Sequence, residues 1–234
     1  MIPKIIHYTW FGKKEKPKLV RKCIASWKKY CPDYKIIEWN EENFDIDSNF
    51  YTRKCYEQKQ YAFLSDYVRL LVVYQNGGIY FDTDVEVIRR MDSFLEYQAF
   101  FGFETPDFVN TGIGFGAEKG SIVVKQMLEE YQGLLDGEHG VVGCPYLNTM
   151  ALEKLGLKKN GRFQKVADAV VFPAEYFNPY DSVTGRLQKT EVTCSIHWYA
   201  ASWMRKRTRF RCFFTRRFRR FFRTEKYGKR TIKT

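Results

Sequence analysis

Histidine is scarce in this 234-residue chain, which has His7, His139 and His197 and no other, so a metal cage built from imidazoles is disfavoured and any metal is expected to lean on carboxylates. The six cysteines, Cys23, Cys31, Cys55, Cys144, Cys194 and Cys212, form no Cys-x-x-Cys and no zinc-type Cys/His spacing. Reduced thiols fit that scatter better than a disulfide framework. No run of about 18 apolar residues occurs, and Met1-Ile2-Pro3-Lys4 lacks the charged-then-apolar layout of a signal peptide. The expectation is a chain that neither spans a membrane nor is secreted by that route. What is present is 44% hydrophobic, 18% aromatic and 28% charged, which excludes a wholly disordered or collagen-like chain. The length suits one domain.

The formal charge of +12 is concentrated at one end. Residues 205–234 hold 14 Lys/Arg and one acid, Glu225, which leaves 25 basic against 26 acidic residues in the first 204. The division is therefore a neutral globular body, 1–204, and a basic aromatic tail, 205–234. On a helical wheel at about 100° per residue, Phe210, Phe213, Phe214, Phe218, Phe221 and Phe222 share roughly half the circumference. Arg209, Arg216, Arg219, Arg220 and Arg223 lie opposite, with Arg217 intruding on the apolar side. This layout predicts a basic amphipathic helix on an anionic membrane surface, through residues 205–230. An unstructured basic tail and an arginine strip for nucleic acid are the competing readings, the latter disfavoured.

Along the body, residues 2–10 read as a buried strand, Pro17 opens a helix with Val20, Cys23, Ile24, Trp27 and Tyr30 on one face, and 34–39 is the next strand. Residues 60–76 form an apolar helix closed by Gly77-Gly78, followed at once by the strand Ile79-Tyr80-Phe81. Further strands are expected at 85–88, 99–103, 111–116, 170–173 and 192–198, and helices at 121–135 and 145–155. The alternation points to a three-layer α/β domain.

Asp82 and Asp84 stand at the end of the strand, and in extended backbone residues i and i+2 point the same way. Two such carboxylates suit Mg²⁺ or Mn²⁺ beside the phosphate oxygens of a ligand, although an Asp-x-Asp at a strand end is often a solvated turn. They are too close, and too alike in direction, for a glycoside hydrolase pair, which needs about 5 to 10 Å across a sugar. Asp66 and Arg69 are neighbours on one helix face, either a structural ion pair or a carboxylate oriented to grip hydroxyls.

The runs Leu64-Ser65-Asp66-Tyr67-Val68-Arg69 and Tyr74-Gln75-Asn76-Gly77-Gly78-Ile79-Tyr80-Phe81-Asp82-Thr83-Asp84 resemble the signature of the DXD-containing glycosyltransferases of family 32. That family includes fungal-type initiating mannosyltransferases and bacterial polysaccharide enzymes, and glucosylating toxin domains share the arrangement. The opening Ile2-Pro3-Lys4-Ile5-Ile6-His7-Tyr8-Thr9-Trp10 and the closing His197-Trp198-Tyr199-Ala200-Ala201-Ser202-Trp203 are similar too, so the resemblance covers residues 1 to about 204. It implies a GT-A (Rossmann-like) fold, with a mixed, mainly parallel sheet flanked by helices. By the same resemblance, Thr9 and Trp10 hold the nucleobase, while Ser65, Asp66, Arg69 and Tyr80 line the donor sugar pocket. Asp82, Asp84 and His197 serve the metal, Mn²⁺ or Mg²⁺, and Asp66, Arg69, Asp82 and Asp84 carry the catalysis. Asn110 is an amide near the sugar or a turn former, and Ser202 and Trp203 close over the diphosphate. The stretch Gly133–Leu147 fits the family loosely.

The implied activity is retaining transfer of a hexose from a nucleotide sugar, UDP-sugar ahead of GDP-mannose, to a glycan acceptor expected to be lipid-linked. The setting would be bacterial surface polysaccharide synthesis, in the cytoplasm and peripheral on the inner face of the cell membrane. A non-catalytic membrane- or nucleic-acid-binding protein acting through its tail is the alternative.

Overall fold

The computed structural model describes residues 1–200. The predicted tail helix, Ser202 and Trp203 lie outside the described residues. In chain order the elements are β1 (Ile5–Thr9), α1 (Lys18–Tyr30), β2 (Lys35–Trp39), α2 (Phe50–Glu57), α3 (Tyr61–Asn76), β3 (Gly78–Tyr80), β4 (Val85–Val87), β5 (Ala99–Thr105) and β6 (Phe108–Val109). They continue as β7 (Phe115–Ala117), α4 (Ile122–Glu129), α5 (Cys144–Lys154), β8 (Gln164–Val166), β9 (Ala169–Phe172), β10 (Tyr180–Asp181), β11 (Arg186–Leu187) and β12 (Ser195–His197).

The main sheet has the order β2-β1-β3-β7-β5-β9-β8, with β6 paired to β5. Pairs β1/β2, β1/β3 and β5/β9 are parallel, whereas β7 and β8 run against their neighbours. This is the mixed, mainly parallel sheet between helices that the sequence implied. Side-chain alternation explains the layering. Tyr80, Ala99, Phe101, Phe103, Ala169 and Val171 enter the core beneath α3, α4 and α5, while Ile79, Phe81, Phe100, Val170 and Phe172 enter the core beneath α1. A sheet apolar on both faces must be covered on both, so helices take both sides.

Helix α3 ends where Gly77 adopts φ +68° and its amide returns to the Val73 carbonyl at 2.8 Å. Gly78 follows at φ +116°, and a Cβ there would meet the Ile5 carbonyl oxygen at 2.8 Å and His7 Nε2 at 2.9 Å. The glycine pair therefore lets β3 lie against β1 directly after the helix.

Two expected elements differ in extent from those observed. Residues 111–116 are not one strand: a 3-10 turn at Thr111–Ile113 precedes β7, because Asn110 Oδ1 captures the Gly112 amide at 2.6 Å and Gly114 takes φ +119°. The helix expected over 121–135 stops at Glu129, and a separate 3-10 turn occupies Gln132–Leu134. Helix α2, strand β8 and the β10/β11 hairpin were not anticipated. The five described cysteines are free and buried. Among the described residues, no helix is long and apolar enough to cross a membrane.

Candidate functional site

From β1 the chain crosses to β2 on one flank, then returns to place β3 on the other. The gap beyond the carboxyl ends of β1 and β3 is thus a topological switch point, where open α/β sheets bind ligands. Thr9 and Trp10 leave β1 there, and Tyr80, Phe81 and Asp82 leave β3. The acidic pair is not carried on extended backbone as expected. The Val85 amide donates to the Asp82 carbonyl at 3.0 Å, closing a turn between β3 and β4.

Asp82 sits in a charged knot that α3 supplies. Arg69 Nη2 is 2.8 Å from Asp66 Oδ1 and 2.9 Å from Asp82 Oδ1, with Arg69 only 2% exposed. Its guanidinium also lies 5.1 Å from the centroid of the Tyr80 ring. The Tyr80 hydroxyl donates to Asp82 Oδ1 at 3.1 Å and is 3.0 Å from Thr9 Oγ1, which is 2.8 Å from Ser65 Oγ. Burial raises the Asp82 carboxyl to about 6, with Arg69 pulling it down and Asp84 pushing it up. Burial likewise raises Asp66 against the pull of Arg69. The arginine is itself desolvated, yet the two carboxylates keep it firmly charged.

His197 arrives from the far end of the described chain. Strand β12 pairs antiparallel with β4 in the register His197↔Val85, which sets the imidazole beside Asp84. Its Nε2 is 3.1 Å from Asp84 Oδ1. Burial opposes a charged ring, but Asp84 and Asp82 raise His197 above the ordinary histidine range. In return, burial works against the Asp84 charge while His197 and the Ala200 amide hold that carboxyl below its usual value.

Asp82, Asp84 and His197 each offer one ligand atom, all within 4.8 Å of one another. His197 Nδ1 is buried without a hydrogen-bond partner, as an imidazole waiting for a cation would be. Gly112 completes the cradle: a Cβ there would collide with Asp82 Oδ2 and lie 3.0 Å from Arg69 Nη1 and Asn110 Oδ1. Two carboxylates and one imidazole fit a hard or borderline divalent ion such as Mn²⁺.

Residues 17–101, which span the Asp66–Arg69 helix and the Asp82–Asp84 turn, match the family model described as the glycosyltransferase sugar-binding region containing the DXD motif. That stretch of the chain is similar to the sugar-binding region of the DXD glycosyltransferases. The chain is 29% identical over 156 residues to inositol phosphoceramide mannosyltransferase 3 of Schizosaccharomyces pombe, a match over 64% of this chain and 41% of that protein. It is 34% identical over 101 residues to inositol phosphoceramide mannosyltransferase 2 of the same yeast, over 42% and 29% respectively. The chain thus spans less than half the length of these curated relatives. Among solved structures, the PaToxG glycosyltransferase superposes with a TM-score of 0.54 at 21% identity, over 65% of this chain and 68% of that one, a likeness of fold.

In the fold, Trp10 is half-buried, its indole Nε1 donating to the Lys14 carbonyl at 2.7 Å and the Lys16 ammonium 5.7 Å from its ring. Asn110 lies beyond the matched region but inside the site. Its oxygen serves the Gly112 turn, and its amide nitrogen has no protein partner among the described residues. The sequence reading missed Cys144, which opens α5: its Sγ lies 3.5 Å from Arg69 Nη1 and 3.4 Å from Asn110 Oδ1, and with Arg69 it opposes the rise that burial imposes on the Asp66 carboxyl. No spacing signal marks a lone thiol, and it falls in the stretch that fitted the family loosely. Gly112 was detectable as the small residue in Asn110-Thr111-Gly112. Asp136 and His139 pair at 3.2 Å on an exposed loop.

Proposed function

We propose that this chain is a metal-dependent glycosyltransferase that moves a hexose from a nucleotide sugar to a glycan acceptor with retention of configuration. The observation that carries the reading is the convergence of Asp82, Asp84 and His197 beside the buried Asp66–Arg69 pair at the carboxyl edge of β1 and β3. Asp82, Asp84 and His197 would hold the cation, with Mn²⁺ favoured over Mg²⁺ because one donor is a nitrogen. Bound there, the cation would offset the charge of a departing diphosphate.

The protein's own residues supply positioning. Arg69 fixes Asp82 and Asp66 together, Trp10 offers an aromatic face for the base, and the Asn110 amide nitrogen is a free donor toward the sugar. Asp66 is engaged by Arg69 at 2.8 Å. That commitment favours front-face substitution, in which the leaving diphosphate takes the acceptor proton, over attack by Asp66 on the anomeric carbon. Mass spectrometry of enzyme quenched during turnover should find no sugar bound covalently to Asp66.

Two donors remain in play. UDP-hexose is favoured by a small margin on the sequence, and GDP-mannose gains support from the mannosyltransferase names of the relatives, whose inositol phosphoceramide acceptor also supports a lipid-borne one here. The tail, 205–234, would place the enzyme on the inner face of the cell membrane, in reach of such an acceptor for surface polysaccharide synthesis. The deciding experiment is a thermal-shift panel of UDP, GDP and CMP with and without Mn²⁺, on the wild type and Asp84→Asn. A Mn²⁺-dependent stabilisation by one nucleotide, lost in the variant, is expected. No response to any nucleotide would overturn the reading in favour of a binding protein acting through its tail.

A further inference from the structure

Residues 197–200 wrap round a single residue, Asp84. His197 Nε2 meets Asp84 Oδ1 at 3.1 Å, the Trp198 amide donates to the Asp84 carbonyl at 3.0 Å, and the Ala200 amide donates to Asp84 Oδ2 at 2.7 Å. Between the two amides the chain must reverse, and Tyr199 does so at φ +48°, a region that residues with a side chain avoid. Neither glycine nor asparagine occupies the position, so something other than backbone preference holds the turn. The Tyr199 hydroxyl donates to Glu104 Oε1 at 2.8 Å and accepts from Asn178 Nδ2, also at 2.8 Å. The same Asn178 nitrogen donates to the Glu104 carbonyl at 3.1 Å. Glu104 belongs to β5, so the turn is pinned to the main sheet rather than to its own two-stranded sheet. The Tyr199 ring lies against the His197 ring, with centroids 4.1 Å apart.

We propose that Tyr199 is the positioning residue of the Asp84–His197 site: clamped by Glu104 and Asn178, it holds the strained turn that brings the imidazole and the Ala200 amide onto Asp84. Released from the clamp, an L-residue relaxes to negative φ, which swings the Ala200 amide off Asp84 Oδ2 and frees the His197 ring. Loss of an outer partner that orients a metal ligand typically costs about 10- to 100-fold in metal affinity. The role at the metal rests on the function proposed above; the role toward His197 and Asp84 does not.

The test uses the full chain and the variants Tyr199→Phe, Glu104→Ala and Glu104→Gln. Tyr199→Phe keeps the ring but loses the clamp, and Glu104→Gln keeps an oxygen for the tyrosine hydroxyl. Mn²⁺ alone, titrated by electron paramagnetic resonance, is expected to bind Tyr199→Phe and Glu104→Ala about tenfold more weakly, with kcat at saturating metal and donor lowered less than about threefold. Glu104→Gln is expected to restore affinity to within about twofold, and the two weak variants combined should be no worse than either alone. With three histidines in the chain, ring ¹⁵N spectra of the metal-free protein resolve His197 by itself. Its tautomer or hydrogen-bond signature should change in Tyr199→Phe. A lowered melting temperature with unchanged Mn²⁺ affinity and unchanged His197 signals would reduce Tyr199 to a structural tie and overturn the proposal. Should the wild type bind no Mn²⁺, the metal reading fails, and the metal-free His197 spectrum still decides the positioning role.

Discussion

Removing Arg69 strands two acids at once, because the same Nη2 lies 2.8 Å from Asp66 and 2.9 Å from Asp82 in a site shielded from water. Arg69→Met is therefore expected to cost about 3–5 kcal/mol in urea unfolding, the usual penalty for breaking a buried ion pair from one side. Gly112→Ala tests the other side of the knot. Its backbone is within reach of alanine, so the effect is a collision with Asp82 rather than twisted backbone. Mn²⁺-dependent stabilisation by nucleotide should be lost while far-ultraviolet circular dichroism stays that of the wild type. Retained nucleotide stabilisation would mean that Asp82 can move aside and does not need this position. Asp66, Arg69, Asp82 and Asp84 were legible in the sequence because spacing on a helix and at a strand end is local. Cys144 and Tyr199 were not, since a thiol and a phenol acquire these roles only from distant neighbours.

At the scale of elements, α5 and β6 are tied by one side chain. Thr149 Oγ1 accepts from the Val109 amide at 2.9 Å and donates to the Pro145 carbonyl at 2.6 Å, with both residues buried. Thr149→Val keeps the shape and leaves the Val109 N–H unsatisfied, at about 1–3 kcal/mol by chemical denaturation. Because β6 leads into Asn110 and α5 begins at Cys144, donor affinity should weaken along with stability. Elements α1, α3 and β3 were readable from apolar periodicity and from the glycine stop. Helix α2 was overlooked although Asn49 caps it, its Oδ1 accepting the Thr52 amide at 2.9 Å, because its eight residues carry too weak an apolar stripe and leave Phe50 exposed. The segment 111–116 misled in the opposite way. Its apolar residues are buried as a strand's would be, but the Asn110 side chain competes for the backbone and turns the chain first.

For the molecule as a whole, a body of nearly balanced charge and a tail of 14 basic residues against one acid are expected to act separately. The full chain should sediment with anionic vesicles at low salt and be released as the Debye length shrinks from about 10 Å at 0.1 M toward 3 Å at 1 M. Neutral vesicles should not retain it, and retention that salt and lipid charge leave unchanged would refute an electrostatic anchor. The architecture followed from alternation: strands apolar on both faces demand helices on both sides, and that pattern is written in consecutive residues. The amino-acid sequence by itself determined the layered α/β class, the acidic pair, its neighbouring Asp66–Arg69 pair and the concentration of charge. Only the tertiary structure decided that β12 pairs with β4, which carries His197 across more than a hundred residues to Asp84, and that β5 supplies the clamp for Tyr199. Helical and strand periodicities report on neighbours a few residues apart, whereas strand pairing and side-chain contacts between remote segments depend on the packing of the entire core.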